Sequence, residues 1–214
     1  MASTAPRAPM PPWHRYSSFL AEDEREGLLG WAMEHRDRFK PAKLIGGVVD
    51  PKLRISERFL DLGPFRPLFE RRIETMLDDL FRRTGTRSFE PEFYELELVA
   101  HNDGAHFTRH TDIPFGPGRK PLGGDRSGTQ DRLLSGVYYF HREPKAFSGG
   151  ALRLYRFGSN GDAPNDWIDV EPEQNSLVVF PTWATHEVLP ICCPSKDFAD
   201  SRFAVNVWLC RTLS

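Results

Sequence analysis

The stretch His106-Phe107-Thr108-Arg109-His110-Thr111-Asp112 sets an imidazole and a carboxylate one residue apart, at His110 and Asp112. On an extended strand, side chains separated by one residue point to the same face, so this pair can hold one metal ion from one side. A second imidazole is offered far along the chain by His186, in Thr185-His186-Glu187-Val188. Two histidines and a carboxylate on one face of a metal, with open positions opposite, describe a non-haem iron(II) site that activates oxygen. Neither half is specific alone. A His-x-Asp tripeptide also reads as two solvated residues on an edge, and a lone histidine as a hydrogen-bonded one.

Other residues compete for these roles. His106 shares strand parity with His110, but four residues along a strand is about 13 Å, too far for joint ligation without a bulge. His101 and His141 are expected at the mouth of the site or facing solvent, and Glu187 is expected to point outward to a surface cation. Phe107, Trp183 and Trp208 read as core or pocket walls.

The elements that must position these groups follow from the hydrophobic pattern. Glu22-Asp23-Glu24 ahead of Leu28, Leu29 and Trp31 predicts a helix over roughly 22–36. Leu44 to Val49 reads as a short strand closed by Asp50-Pro51. Pro64 and Pro67 at the start and Gly85 past the end bracket a second helix over about 64–84, with Phe69, Ile73, Met76, Leu77, Leu80 and Phe81 as its buried stripe. From Phe93 onward the period changes to two. Strands are expected at about 94–99, 105–112, 133–140, 151–157, 167–170, 176–180, 187–191 and 203–209. Such strands behind two helices predict a mainly β jelly roll, cupin-like, with the N-terminal helices packed on one outer face.

On the last strand, parity puts Arg202, Ala204, Asn206 and Trp208 on one side and Phe203, Val205 and Val207 on the other. A buried arginine needs an anionic partner, and a dicarboxylate would supply a bidentate one. The loop from Phe115 to Asp131, rich in glycine and carrying Arg119, Lys120 and Arg126, leaves the metal strand directly. It reads either as a lid over the site or as a surface insertion.

Taken in order, several stretches resemble one family. They are His110-x-Asp112, Ser148-Gly149-Gly150-Ala151-Leu152, Phe180-Pro181, His186-Glu187-Val188-Leu189-Pro190 and Arg202-Phe203-Ala204-Val205-Asn206-Val207-Trp208. Together they resemble the iron(II)- and 2-oxoglutarate-dependent dioxygenases of the prolyl 4-hydroxylase type. The resemblance runs from Phe93 to Leu209, and Tyr16 to Leu20 is also similar to the family's N-terminal beginning. It implies a double-stranded β-helix, with His110, Asp112 and His186 as ligands of Fe(II), 2-oxoglutarate as cosubstrate and O2 as oxidant. Ascorbate is included as an accompanying cofactor. Arg202 corresponds to the basic residue that clamps the distal carboxylate of 2-oxoglutarate, and Tyr139 to a tyrosine that hydrogen-bonds it. Tyr138, of opposite parity, is then the packing partner, and Thr111 faces away from the metal.

One departure stands out. In much of the family the basic residue follows the distal histidine more closely, and here Cys192-Cys193-Pro194-Ser195-Lys196-Asp197 intervenes. Lys196 sits at the shorter spacing and is the rival clamp. Arg202 is preferred because the residues after it match the family strand. The insertion is expected to lengthen a hairpin near the mouth.

The reaction the resemblance implies is hydroxylation of an unactivated C–H of a prolyl or amino-acid-like substrate, free or peptidyl, with formation of succinate and CO2. Arg119, Lys120 and Arg126 suit a substrate carboxylate, and Trp183 is a further expected substrate contact. Two alternatives remain at this point. One is a non-catalytic jelly-roll protein holding a metal or small ligand. The other is a zinc hydrolase, for which the available general base is Glu187.

Bulk properties agree with a single domain. The chain has 214 residues, read as a disordered Ala- and Pro-rich tail over 1–12 and one domain over 13–214. It has no apolar run of membrane-spanning length and no signal-peptide core. A net charge of -2 argues against nucleic acid as a partner and leaves a small-molecule or peptidyl substrate. The three cysteines make no zinc-like spacing and adjacent Cys192-Cys193 would pair only under strain, so a reducing, cytoplasmic location is expected.

Overall fold

Alternation along the C-terminal strands sorts each into two faces, and the two faces pack against different partners. The computed structural model describes residues 8–44, 47–113, 130–158, 160–161 and 165–212. In chain order its first elements are β1 (His14–Ser17), α1 (Glu22–Glu34), β2 (Lys40–Pro41), β3 (Arg54–Ile55), β4 (Glu57–Phe59), α2 (Phe65–Glu74) and α3 (Leu77–Thr84). Then come β5 (Phe93–His101), β6 (His106–His110), β7 (Gln130–Phe140), β8 (Ser148–Gly149) and β9 (Leu152–Tyr155). The chain closes with β10 (Trp167–Val170), β11 (Ser176–Pro181), β12 (His186–Val188), β13 (Ile191–Cys192) and β14 (Arg202–Thr212).

A seven-stranded sheet runs β1-β11-β7-β14-β5-β4-β2 and a five-stranded sheet runs β10-β9-β12-β6-β3, with β13 and β8 forming a small third sheet. The two larger sheets pack face to face as a double-stranded β-helix, a jelly roll. On β14, Phe203, Val205, Val207 and Leu209 join Leu96, Leu98, Tyr138, Phe140, Leu177 and Val179 in a core shared with helix residues Leu28, Phe69, Ile73, Leu80 and Phe81. The opposite parity, including Tyr139, Val178, Phe180 and Ala204, meets Leu152, Leu154 and Val170 of the five-stranded sheet. The helices therefore cover one outer face, and the space between the sheets is left for the site.

The second predicted helix is two helices. Thr75 Oγ1 donates to the Arg72 carbonyl at 2.7 Å, and the Met76 amide reaches back only to Ile73 O at 2.9 Å. A Thr hydroxyl competing for backbone carbonyls tightens and bends the helix there. Gly85 ends the second piece with φ +62°, the left-handed position that a glycine C′ supplies.

The strand expected over 44–49 does not form among the described residues of that segment. Leu44 N donates to Val48 O at 2.7 Å and Gly47 N to Leu44 O at 3.0 Å, bonds within the segment in place of a ladder, and Val48 and Val49 lie exposed. The strand expected over 105–112 ends at His110, and the one expected over 187–191 divides into β12 and β13 around Leu189-Pro190. Residues 8–12, at the end of the expected tail, are placed against the barrel: Arg156 Nη1 donates to Ala8 O at 2.5 Å and Phe157 N to Pro9 O at 3.3 Å. No helix among the described residues is long and apolar enough to cross a membrane.

Candidate metal centre and adjoining pocket

β6 and β12 are neighbours in the five-stranded sheet, and His110 lies directly opposite His186 in their register. Asp112 follows just past the end of β6, where its amide donates to the Thr182 carbonyl at 3.1 Å. The tripeptide thus delivers its carboxylate from a tied-down bend rather than along a continuous strand. One ligand atom each from His110, Asp112 and His186 lie within 4.8 Å of one another, and this is the one such cluster among the described residues.

The orientation of each ligand is set by its far side. His110 Nδ1 donates to the Thr108 carbonyl at 2.7 Å, and His186 Nδ1 donates to the Ala184 carbonyl at 2.9 Å. A carbonyl only accepts, so both rings carry a proton on Nδ1 and turn Nε2 inward as the atom open to a metal. Those two Nε2 atoms stand 3.7 and 3.8 Å from Asp112 Oδ1. Ser135 donates to the other carboxylate oxygen, Oδ2, at 2.6 Å. Two lone pairs and one carboxylate oxygen converge on a point, each backed by a hydrogen bond that fixes its direction.

Charge states match this geometry. Burial, and then the neighbouring His186, lower the His110 pKa, so the ring is neutral. Burial by itself would raise the Asp112 pKa. The two imidazoles with the Ser135 and Trp208 hydrogen bonds outweigh it, and the carboxyl stays ionised. A neutral His110 beside an ionised Asp112 suits a divalent cation. The donor set fits iron(II).

The cavity beside these ligands is also lined by Arg54, His101, Phe107, Val137, Tyr139, Leu152, Asn206, Trp208 and Arg202. Arg202, at the start of β14, is 1% exposed. Its Nη1 donates to Gly150 O at 2.7 Å and its Nη2 to His101 Nδ1 at 2.9 Å, and no carboxylate pairs with it among the described residues. Its Nε and the Tyr139 hydroxyl are both buried without a hydrogen-bond partner. Gly150, at φ +74°, is what allows this approach, because a Cβ there would meet Ile191 Cγ1 at 2.6 Å and Arg202 Cδ at 3.2 Å. A buried guanidinium and an orphaned phenol facing one cavity fit the far carboxylate of a small dicarboxylate.

The structure brings together His110, Asp112, His186, Tyr139 and Arg202. Tyr138 turns the other way and packs on Phe19 and Phe69 at ring-centroid distances of 5.5 and 5.4 Å. Lys196, the rival clamp, is exposed and lies 3.8 Å from Asp103, outside the cavity. The insertion that carries it packs on the turn after β5, with Cys193 N donating to Asp103 Oδ1 at 3.0 Å. Trp183 does not line the cavity. It is 42% exposed and meets Phe157 edge-on at 5.9 Å. Arg119, Lys120 and Arg126, with most of the loop over 115–131, lie outside the described residues.

Two histidines are placed otherwise than the sequence suggested. His101 is 4% exposed, lining the inside of the cavity rather than its mouth, because it pairs directly with Arg202 of β14. His141 is buried too, donating from Nδ1 to the Arg142 carbonyl at 2.9 Å and meeting Phe147 edge-on. Glu187 accepts from Tyr155 Oη at 2.6 Å and lies 3.7 Å from Arg153, so it is not a base beside the metal ligands. Ser135 and Arg54 carry no motif of their own, and the bond from Arg202 to His101 could not be read from either segment alone. Strand parity with Tyr139 was the available signal for Ser135, while His101 and Arg54 required the pairing of distant strands.

Three comparisons bear on this site. The sequence profile of the 2OG-Fe(II) oxygenase superfamily matches residues 96–210. An uncharacterised PKHD-type hydroxylase of Synechocystis sp. is 36% identical over 199 residues, which is 90% of this chain but 61% of that protein. Among solved structures, a Pseudomonas putida prolyl-4-hydroxylase superposes with TM-score 0.61 at 22% identity, over 94% of this chain and 92% of that one. A Trichoplax adhaerens prolyl hydroxylase, solved with a peptide fragment of hypoxia-inducible factor, gives TM-score 0.66 at 17% identity over 92% and 83%. At those identities the structural likeness speaks to the fold.

Proposed function

The chain belongs to the 2OG-Fe(II) oxygenase superfamily, and from that premise we propose that it is a 2-oxoglutarate-dependent dioxygenase acting on a prolyl or amino-acid-like substrate, free or peptidyl. The observation that carries this reading is Arg202, a fully buried guanidinium with no carboxylate partner among the described residues, in the same cavity as the His-Asp-His cluster. A zinc hydrolase or a bare metal carrier has no use for it.

His110, Asp112 and His186 would hold the iron through Nε2, a carboxylate oxygen and Nε2. The bound iron and 2-oxoglutarate supply O2-driven hydroxylation of an unactivated C–H, with the cosubstrate leaving as succinate and CO2. The rest is positioning by this chain. Thr108 and Ala184 carbonyls keep the imidazoles in the ligating tautomer, and Ser135 holds Asp112 so that Oδ1 faces the two rings. Arg202 and Tyr139 take the distal carboxylate. Val137, Leu152 and Phe107 line the cavity with apolar surface that keeps water from the reacting carbon.

Substrate choice rests on the relatives. The PKHD-type hydroxylase and the prolyl hydroxylases favour a prolyl group. The chain spans 61% of the length of the Synechocystis protein. Arg119, Lys120, Arg126 and Trp183 remain proposed substrate contacts, and ascorbate a proposed accessory. The cysteines are unpaired, with Cys193 and Cys210 buried, which supports a reducing, cytoplasmic setting.

The test is an anaerobic titration with Fe(II) and 2-oxoglutarate, following the visible metal-to-ligand charge-transfer band. A band that requires both, and that is lost in Arg202→Ala at modest 2-oxoglutarate, is the expected result. No band in metal-loaded protein would overturn the reading.

A further inference from the structure

The stretch Leu53-Arg54-Ile55, which leads into β3, inverts the usual pattern. Leu53 and Ile55 are 42% and 40% exposed, while the side chain of Arg54 between them is 9% exposed and lines the cavity beside His110 and Asp112. Local rules put the two aliphatics inside and the arginine out. A chain keeps such an inversion where function requires it.

Arg54 is incompletely satisfied. Among the described residues its side chain makes one hydrogen bond, from Nε to Ser56 Oγ at 3.0 Å. Its Nη2 lies 3.8 Å from Glu97 Oε2, beyond hydrogen-bond reach; Arg58 bonds the other oxygen, Oε1, and Oε2 is buried without a hydrogen bond. A guanidinium carries five donors, and burial of the charge lowers the pKa of Arg54 without a full partner to offset it. The group lies over the Phe107 ring, its Cζ 4.9 Å from the centroid, and Phe107 in turn stacks on His110 at 3.6 Å. The arginine is therefore layered on the metal-ligand side of the cavity, on the five-stranded sheet, whereas Arg202 enters from the seven-stranded sheet.

Charge balance separates the two arginines. Iron(II), Asp112, Arg202 and a dicarboxylate cancel. Glu95 is matched by Arg132. Glu97 is shared by Arg54 and Arg58, so one positive charge is left over, and it falls on the member that lines the cavity.

We propose that Arg54 is the substrate-anchoring residue and that the substrate presents a carboxylate to it, so that the chain acts on a free acid or a C-terminal residue rather than on an internal residue of a peptide. This rests on the reading of the site given above. With the carboxylate on Arg54, the layered Arg54–Phe107–His110 arrangement sets the remaining atoms of one amino-acid unit toward the metal ligands. The guanidinium is planar and bidentate, which fixes direction as well as charge.

The experiment is calorimetry on the full chain loaded with Mn(II) and 2-oxoglutarate, using matched probes that differ only in the carboxylate: proline against prolinamide, and N-acetylproline against its amide. The acids are expected to bind on the order of tenfold or more tighter than the amides in the native chain. That preference should vanish in Arg54→Gln and survive in part in Arg54→Lys. Equal binding of acid and amide, binding of neither, or an acid preference retained in Arg54→Gln would overturn the proposal. So would failure of both variants to fold, which would make Arg54 a structural partner of Glu97. The charge-transfer titration is read separately. Its failure with acid preference intact would overturn the oxygenase reading and leave Arg54 as an anion site, while an intact band without acid preference would overturn the Arg54 assignment alone.

Discussion

Arg202 and His101 are direct cross-strand partners on β14 and β5, and Arg202 Nη2 donates to His101 Nδ1 at 2.9 Å. An arginine can only donate, so this ring is neutral, with its proton on Nε2. Burial, then the charges of Arg202 and Arg54, hold the His101 pKa well below that of a free imidazole. Gly150 O takes one arm of the fork and His101 the other, so two uncharged acceptors aim a guanidinium whose charge stays available for a ligand.

Replacing His101 by Leu leaves one arm of that fork without an acceptor. The affinity for 2-oxoglutarate should fall by about 5- to 100-fold, the cost of one unmade hydrogen bond to a charged group. His101→Gln, which keeps an acceptor, should recover part of it. Calorimetry on Mn(II)-loaded protein measures both, and metal affinity measured alongside should not change. A parallel loss of metal binding would place His101 in the metal site instead.

Tyr139 has a buried hydroxyl with no partner among the described residues, which costs stability in the ligand-free protein. Tyr139→Phe should raise the unfolding free energy by about 1–3 kcal/mol and weaken 2-oxoglutarate binding by about tenfold. Urea unfolding and ligand titration of the same sample check the two signs together. A variant that is less stable and binds as before would remove Tyr139 from the carboxylate site.

Ser135 orients Asp112 through a 2.6 Å hydrogen bond to Oδ2. Ser135→Ala should lower metal affinity by about 10- to 100-fold, the usual cost of losing a group behind a ligand. Asp112→Ala and His110→Ala should lose metal binding and succinate formation coupled to substrate oxidation. Coupled turnover surviving in either would dismantle the triad.

Acid should unfold the metal-free protein. His110 and His101 are buried and neutral, with folded pKa values below the 6.5 of a free imidazole. Below that pH the unfolded chain binds more protons than the folded one, so stability drops as pH falls, by up to about 1.4 kcal/mol per unit for each histidine. Asp112, whose folded pKa is lowered, adds to the loss in the same direction below about pH 4. Urea midpoints between pH 7.5 and 5.5 test this, with a shallower slope expected in His101→Gln. A flat profile would mean that the two imidazoles are not held neutral.

The C-terminal half was readable because its strands obey parity. Arg202, Asn206 and Trp208 line the cavity while Phe203, Val205 and Val207 pack under the helices, as an alternating strand with one apolar face must. The same rule separated Tyr139 from Tyr138. It failed where strands are two or three residues long. β2, β3 and β4 are too short for a period to show, and each pairs with a longer neighbour that offers a ladder.

The sequence by itself pointed to His110, Asp112 and His186 as candidate ligands, to the helices-on-one-face jelly roll and to Arg202 over Lys196, because residue types, strand parity and a family resemblance are all written along the chain. Only the tertiary structure decided which side chains stand behind those ligands. His101 meets Arg202 across strands 101 residues apart, and Ser135 reaches Asp112 from the facing sheet. Arg54 enters the cavity against its own local pattern, because β3 pairs with β6 in the register Arg54↔Phe107. Contacts of that kind are set by which strands pair and in what register, and short segments carry little of that information.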